Sequence, residues 1–320
     1  MLALLGGGGH QPVAQTVLVS GRVMRGGAAA RPLAGAWVVL HRIARDGDGR
    51  PIDSTRTDAQ GRFSLTIARP DSAALYLASS WYAGIAYFSE PIAGVRSGRA
   101  ALRPLYVYDT SSTGPPVHLA QRLVTIAQRK RDGARAVLEL LELENPAART
   151  RVAPDTLRPT WTGALPAAAI QFQVGRGDIS PQAVTLRGDS VAVFGPIPPG
   201  ERKQLSYAYV LPADLRAVTV PIDQATSEVD LLLEDTTAVV SALRLDSLGI
   251  EDIDGRRFAR YRMRDVAAGA RLAIALPERG FQPQTLVPLV VAVAALILGV
   301  AFVVALRRKP TPLAPPEVTP

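Results

Sequence analysis

The sequence contains no cysteine, which excludes disulfides, thiolate nucleophiles and cysteine-ligated zinc or iron–sulfur centres. Histidine is nearly as scarce. His10, His41 and His118 are the only three, and no two of them stand at helical or hairpin metal-ligand spacing. A Ser-His-Asp triad has almost no imidazole to draw on, and no G-x-S-x-G turn is present to hold a nucleophile. Aromatic residues make up 6% of the chain, and only three of the 36 basic residues are lysines (Lys130, Lys203, Lys309). The arginines behind the net charge of +8 are interspersed with acids and lack interleaved aromatics. That is the pattern of a solvated surface rather than a nucleic-acid groove, so no nucleic-acid partner is expected.

What is present is apolar and turn-rich. Over 320 residues, hydrophobic residues account for 48%, with 27 glycines and 26 prolines spread throughout. Two or three domains fit that length, and the spacing suits many short strands joined by turns. The strongest single feature is Leu286 to Leu306, LVPLVVAVAALILGVAFVVAL. It carries no charge and as a helix would extend about 32 Å, the thickness of a hydrocarbon core. Pro288 falls in its first turn, where a missing N–H costs little. Arg307, Arg308 and Lys309 follow at once, against Arg279 alone on the other flank. The positive-inside rule then places 307–320 in the cytoplasm and the rest outside it. The partner on this reading is the lipid bilayer, through Leu286 to Leu306. Residues 1–15, MLALLGGGGHQPVAQ, have a short apolar run and a small-residue region but no basic start, and are read as a signal-peptide remnant or a disordered lead. Gly6 to Gly9 is not a phosphate loop, because no strand precedes it and no Gly-Lys-Ser/Thr follows.

Between these ends the chain alternates as strands do. VSGRV (Val19–Val23) is followed by PLAGAWVVL (Pro32–Leu40), STRTDAQGRFSL (Ser54–Leu65) and ALYLASSWYAGIAYFSEP (Ala74–Pro91). This order resembles the carboxypeptidase regulatory-like domain, a transthyretin-like seven-strand β-sandwich. The resemblance covers Val17 to Tyr108, and its most specific piece is Thr57-Asp58-x-x-Gly61-x-Phe63. It implies an accessory module without catalytic residues, and it speaks to fold more than to function. The rest of the chain is similar to a bacterial envelope group that places further β domains before a C-terminal anchor. The expected fold is therefore mostly β, with tandem transthyretin/Ig-like sandwiches followed by one transmembrane helix. Domains are expected at 16–108, 109–215 and 216–280, a span at 286–306 and a tail at 307–320. One segment is ambiguous. Ala134–Glu144, ARAVLELLELE, is built of helix formers at acceptable helical spacing. Its place after the Asp132–Gly133 turn and the family pattern favour a strand.

No constellation of catalytic residues emerges. Glu139 with Glu142, or Asp252 with Asp254, supply carboxylates in number but no cleft, and are read as solvated strand and turn residues. Asp252-x-Asp254-Gly255 lacks an acid at Ile250 and at Tyr261, so it is a hairpin turn and not a calcium loop. The same holds for the turn at Asp46–Gly49, with Ala44 at the first ligand position. Arg176-Gly177-Asp178 is a chance tripeptide. No metal or other cofactor is expected. Two stretches are candidates for partner contact. Trp81, Tyr82, Tyr87 and Phe88 either stack on a partner or fill the sandwich core, with the core favoured. Arg256, Arg257, Arg260, Arg262 and Arg264 form a basic strand that meets anionic headgroups or an acidic partner, or simply charges a sheet edge. Within the span, Ala295 and Gly299 make a small-xxx-small pair suited to helix–helix contact. The expected function is a non-enzymatic, single-pass scaffold or accessory subunit of the bacterial inner membrane. Its β domains, in the periplasm, would dock on a larger membrane protein complex, for example a respiratory or photosynthetic one. A binding module for envelope polymer or carbohydrate is the alternative, and an unrecognised hydrolase a distant third.

Overall fold

A computed structural model describes residues 16–276. The expected span, with Ala295 and Gly299, and the 1–15 lead lie outside the described residues. Within them the chain is mostly β, without an α-helix, and no helix is long and apolar enough to cross a membrane.

The N-terminal unit comprises β1 (Val17–Arg25), β2 (Trp37–Ile43), β3 (Gly49–Arg56), β4 (Arg62–Ile67), β5 (Leu75–Tyr82), β6 (Ile85–Phe88), β7 (Gly98–Ala101) and β8 (Leu105–Val107). In one sheet β1 pairs antiparallel with β4, and on its other side runs parallel to β7 and then β8. The second sheet has the order β3-β2-β5-β6, all antiparallel. Alternation drives both sheets. Val17, Val19 and Val23 of β1, Val38 and Leu40 of β2, Phe63, Leu65 and Ile67 of β4, and Tyr76 and Ala78 of β5 point inward and form one core. Two sheets that each bury one face are the stable answer to a period-2 apolar pattern.

The Thr57–Phe63 piece owes its residues to backbone geometry. Thr57 Oγ1 donates to the Leu33 carbonyl at 2.6 Å and accepts from the Ala36 N–H at 2.9 Å, pinning the β2 approach. Asp58 Oδ1 accepts from the N–H groups of Gln60 and Arg62 at 2.9 and 2.8 Å, an Asx-type turn. Gly61 has φ of +71°, and a Cβ there would stand 2.5 Å from the Val23 carbonyl oxygen. Only glycine fits.

The second unit comprises β9 (His118–Ile126), β10 (Arg135–Glu144), β11 (Trp161–Ala164), β12 (Ile170–Val174), β13 (Val184–Arg187), β14 (Ser190–Val193), β15 (Arg202–Leu211), β16 (Ala217–Ile222), β17 (Thr226–Leu233), β18 (Val239–Ser241), β19 (Asp246–Ile253), β20 (Arg256–Val266) and β21 (Ala270–Ala275). Its main sheet has seven strands in the order β12-β15-β10-β9-β17-β20-β19. Two three-stranded sheets, β11-β14-β13 and β16-β21-β18, share one core with it. The helix-forming stretch is the strand β10, central in this sheet between β9 and β15. Its Val137, Leu140, Leu141 and Leu143 are all buried, so burial on both faces overrides helix propensity.

The boundary expected between 215 and 216 is not a break in structure. β17 runs parallel to β9, with Leu119 opposite Thr226 and Ile126 opposite Leu233. Val218, Val220 and Leu272 lie in the same core as Val124 and Leu141. A parallel pairing joins strands about a hundred residues apart through a crossover, which local patterning does not disclose.

Candidate partner-binding surfaces

The four aromatics singled out in the sequence divide by strand parity. On the second sheet of the N-terminal unit, Trp81 and Phe88 point to solvent, 67% and 56% exposed, whereas Tyr87 is buried. The outer face also carries Trp37 (47% exposed) and Leu75 (40%). Register places Val39 opposite Ser79, His41 opposite Leu77 and Ile43 opposite Leu75, with Ser79 opposite Phe88 on the other side. Trp37, Leu75, Trp81 and Phe88 are thus the prominent groups of one apolar sheet face. The Arg56 guanidinium sits 5.4 Å from the Trp37 ring centroid. The His41 ring lies 6.4 Å from that of Phe88, and its Nε2 is 2.8 Å from Ser79 Oγ. Partial burial lowers the His41 pKa below its ordinary value. The sequence reading missed Trp37. The alternation of Trp37, Val39 and His41 against Val38 and Leu40 would have located it on the outer face.

Tyr82 and Tyr87 serve the junction between the two units instead. Tyr87 OH donates to the Tyr108 carbonyl at 2.9 Å and lies 2.8 Å from Thr150 Oγ1. Tyr82 OH donates to Asp109 Oδ1 at 2.8 Å, and Arg25 pairs with the same carboxylate. These hydrogen bonds, that from Arg25 first, hold the Asp109 carboxyl below the usual carboxylate range. The connecting residues Thr110–Ser111 pair with Thr150–Arg151, so the joint between the units is laced by side chains and backbone.

The basic strand is β20, and its charge is largely used within the sheet. Arg262 lies opposite Asp230 and forks onto it, Nε to Oδ1 at 2.8 Å and Nη2 to Oδ2 at 3.0 Å. Arg260 donates to Glu251 at 3.0 Å, Arg264 reaches Glu228 at 3.5 Å, and Arg256 Nε donates to Glu234 at 2.7 Å. Arg257 is exposed and has no ion pair among the described residues. Four of the five, all but Arg257, are thus engaged by acids of the same sheet or of the turn after β17. Opposite charges in register stabilise antiparallel neighbours.

The expectation of solvated carboxylates fails at Glu139. It is 0% exposed, and its four acceptor positions are filled. Oε1 takes Arg122 Nη2 at 3.1 Å and Tyr209 OH at 2.8 Å, and Oε2 takes Arg122 Nε at 2.8 Å and Tyr207 OH at 3.0 Å. Arg122, 2% exposed, also donates from Nη1 to the Pro221 carbonyl at 2.7 Å. Burial alone would lower the arginine pKa, but the Glu139 charge beside it raises it overall. Burial first, and Glu139 next, push both phenols well above their ordinary value. The network is closed to solvent, so it braces the core rather than meeting a substrate. Glu142, by contrast, is on the other side of the strand and bonds Arg202 at 3.0 Å.

The remaining candidates behave as turns and surface residues. Gly255 N–H donates to Asp252 Oδ1 at 3.0 Å, and Asp254 and Gly255 both have positive φ, 52° and 74°, as a type I′ hairpin requires. His118 Nε2 lies 2.8 Å from Ser227 Oγ on the surface. Among the described residues, no three His, Cys, Asp or Glu side chains cluster as metal ligands.

No family model matches the chain, and no curated protein matches it. Among solved structures, a 9R-lipoxygenase from Cyanothece is similar over 33% of this chain and 19% of its own, at 14% identity and a TM-score of 0.24. The chain spans about a fifth of that protein. A likeness at this level carries no argument about fold or activity.

Proposed function

We propose that the chain is a non-enzymatic docking protein. Its β units bind a partner through the outer face of the β3-β2-β5-β6 sheet, and Leu286 to Leu306 anchors them to a membrane. The observation that carries this reading is the row of Trp37, Leu75, Trp81 and Phe88, left solvent-facing on a sheet whose other side is fully packed. Large apolar side chains gathered on one face mark contact sites rather than incidental exposure. The finer assignment to a carboxypeptidase regulatory-like sandwich rests on Val17 to Tyr108. Such modules are accessory parts of larger proteins, in keeping with a docking role. Only nine residues, 277–285, separate Leu276 from the apolar run, and they reach at most about 30 Å fully extended. An anchor so close confines the β units to the membrane plane and raises their effective concentration near membrane partners. On this reading they face the periplasm, the tail after Arg307 lies in the cytoplasm, and the partner is a larger membrane protein assembly.

The exposed rings favour one second reading, an envelope-polymer or carbohydrate module, because flat aromatic faces also stack on sugars. The aliphatic neighbours Val39, Ile43, Leu75 and Leu77 favour a protein partner, although Arg56, His41 and Ser79 stand beside the rings as polar groups. Copurification from mild detergent decides between them. The wild-type chain should bring down a defined membrane assembly, and Trp81→Ser with Phe88→Ser should lose it while keeping the wild-type melting temperature. Retention on isolated cell-wall polymer, abolished by the same pair, would replace docking with the carbohydrate reading.

A further inference from the structure

The N-terminal unit also holds charge for which the fold provides no partner. A shallow cleft of about 660 Å³ opens where β3 and β4 lie side by side. Each is the outer strand of its own sheet, and Asp53 Oδ2 caps the Thr66 N–H between them at 2.6 Å. Arg22 on β1 stands directly opposite Arg62 on β4, and Ser20 opposite Ser64 follows in register. Arg56 contributes from β3, its Nη1 donating to the Gly35 carbonyl at 2.9 Å and its guanidinium 5.4 Å from the Trp37 ring centroid. The side chains of Arg22 and Arg62 make no hydrogen bond or ion pair among the described residues. One acid, Asp58, lines the cleft, and its Oδ1 is taken up by the backbone N–H groups of Gln60 and Arg62.

Like charges directly opposite on a sheet cost stability. On β20 the chain places acids opposite arginines, Asp230 facing Arg262 and Glu228 facing Arg264. At Arg22 and Arg62 it does the reverse, in the cleft, with a third guanidinium nearby and an apolar floor of Leu102 and Pro104. We infer that this cleft docks an acidic polypeptide segment of a partner, with its carboxylates on Arg22, Arg56 and Arg62 and its apolar side chains against Leu102 and Pro104. Guanidinium forks match carboxylates bidentately. The cleft is open to solvent, so a small free anion would keep its hydration there, whereas an extended chain presents several carboxylates at once. The chain's own remaining segments do not supply them. Residues 1–15 contain no acid, and residues 277–320 contain only Glu278 and Glu317. This inference rests on the docking reading and specifies the chemistry of the partner.

The test is a titration of the full chain in mild detergent at low salt, by fluorescence anisotropy, with a labelled heptapeptide of alternating Glu and Val and with its Gln counterpart. The Glu peptide should bind saturably, at least about tenfold more tightly than the Gln peptide, and should weaken as salt rises. Arg22→Gln with Arg62→Gln should abolish the preference while matching or exceeding the wild-type melting temperature, because a like-charge contact is removed. Equal binding of the two peptides, or undiminished binding by the double variant, overturns the inference. Displacement of the Glu peptide by inorganic phosphate at constant ionic strength also overturns it, by showing a free-oxyanion site. Trp81→Ser with Phe88→Ser should leave peptide binding unchanged. If the cleft fails while that variant still loses the native partner, docking stands without the cleft.

Discussion

The Arg122–Glu139–Tyr207–Tyr209 network makes a quantitative prediction about what holds the second unit together. Removing Glu139 as Glu139→Ala leaves a fully buried guanidinium without its charge partner, a change that costs about 3–5 kcal/mol. It also orphans two buried phenols, at roughly 1–3 kcal/mol each before relaxation. The sum rivals the whole stability of an ordinary domain, about 5–15 kcal/mol, so Glu139→Ala should unfold the unit or bring it close to unfolding. Glu139→Gln keeps the shape and two acceptor positions, and should cost about 3 kcal/mol, or a melting shift of roughly 10 °C. Replacing all four groups together (Arg122→Met, Glu139→Leu, Tyr207→Phe, Tyr209→Phe) removes the orphans as well as the bonds. Only the Pro221 and Ala164 carbonyls then lose a donor, so most of the stability should return, to within about 2 kcal/mol of wild type. Trp161 is 6% exposed in this same core. Its emission in a Trp37→Phe, Trp81→Phe background reports unfolding of this unit apart from the other. A Glu139→Gln cost below about 1 kcal/mol, or a quadruple variant as unstable as Glu139→Ala, would refute the account of a closed, mutually satisfied network.

Gly61→Ala should destabilise the N-terminal unit by at least about 2 kcal/mol in denaturant titration, from positive φ and the Val23 carbonyl together. Burial lowers the His41 pKa in the folded state, so the unfolded chain takes up that proton first. The His41 contribution is therefore complete above about pH 6.5 and is lost as pH falls below it. A His41→Gln variant whose stability between neutral and mildly acid pH falls as steeply as wild type would contradict this. Tyr87→Phe should cost about 1 kcal/mol and speed proteolysis between residues 108 and 117, since its hydroxyl links Tyr108 to Thr150. Protease added to outer-permeabilised cells should degrade the β units and leave a small anchored fragment, and full protection would remove the membrane topology from the proposal.

Much of the fold was legible because period-2 patterning is local. The strands from Val17 to Phe88 follow from alternation, and the Thr57–Phe63 turn follows from residues whose backbone demands are specific. What escaped was set by long-range pairing. The β9–β17 pairing joins residues 119–126 to 226–233, and nothing near either strand announces it, so one unit read as two. The Glu139 error has the same origin. In LELLELE each glutamate invites a solvated reading, but strand parity and the Arg122 diagonal neighbour on β9 send one inward and leave Glu142 outside. Aromatic parity is legible in the sequence itself. Trp81 and Phe88 fall on one face and Tyr82 and Tyr87 on the other because Gly84 turns the hairpin with Tyr82 opposite Ile85.

An arginine-rich composition invites the thought of an anionic ligand, and the β20 ladder shows why composition alone is a poor guide. Arg256, Arg260, Arg262 and Arg264 are all near one another, yet each has a carboxylate from β17, β19 or the turn after β17 within 4 Å. Such pairs neutralise one another in place, so they add little field at a distance. The charge that matters for a partner is what remains after internal pairing. On the N-terminal unit that remainder includes Arg22 and Arg62, in a cleft at the side of the sandwich, with the aromatic face on its outer sheet. A protein partner gripping this unit could use both at once. The rings would contribute contact area that survives high salt, and the guanidiniums a steering field that does not. Salt dependence therefore separates the two contributions. Raising ionic strength should slow association of the wild type far more than that of Arg22→Gln with Arg62→Gln, and should leave the dissociation rate set by Trp81 and Phe88 nearly unchanged.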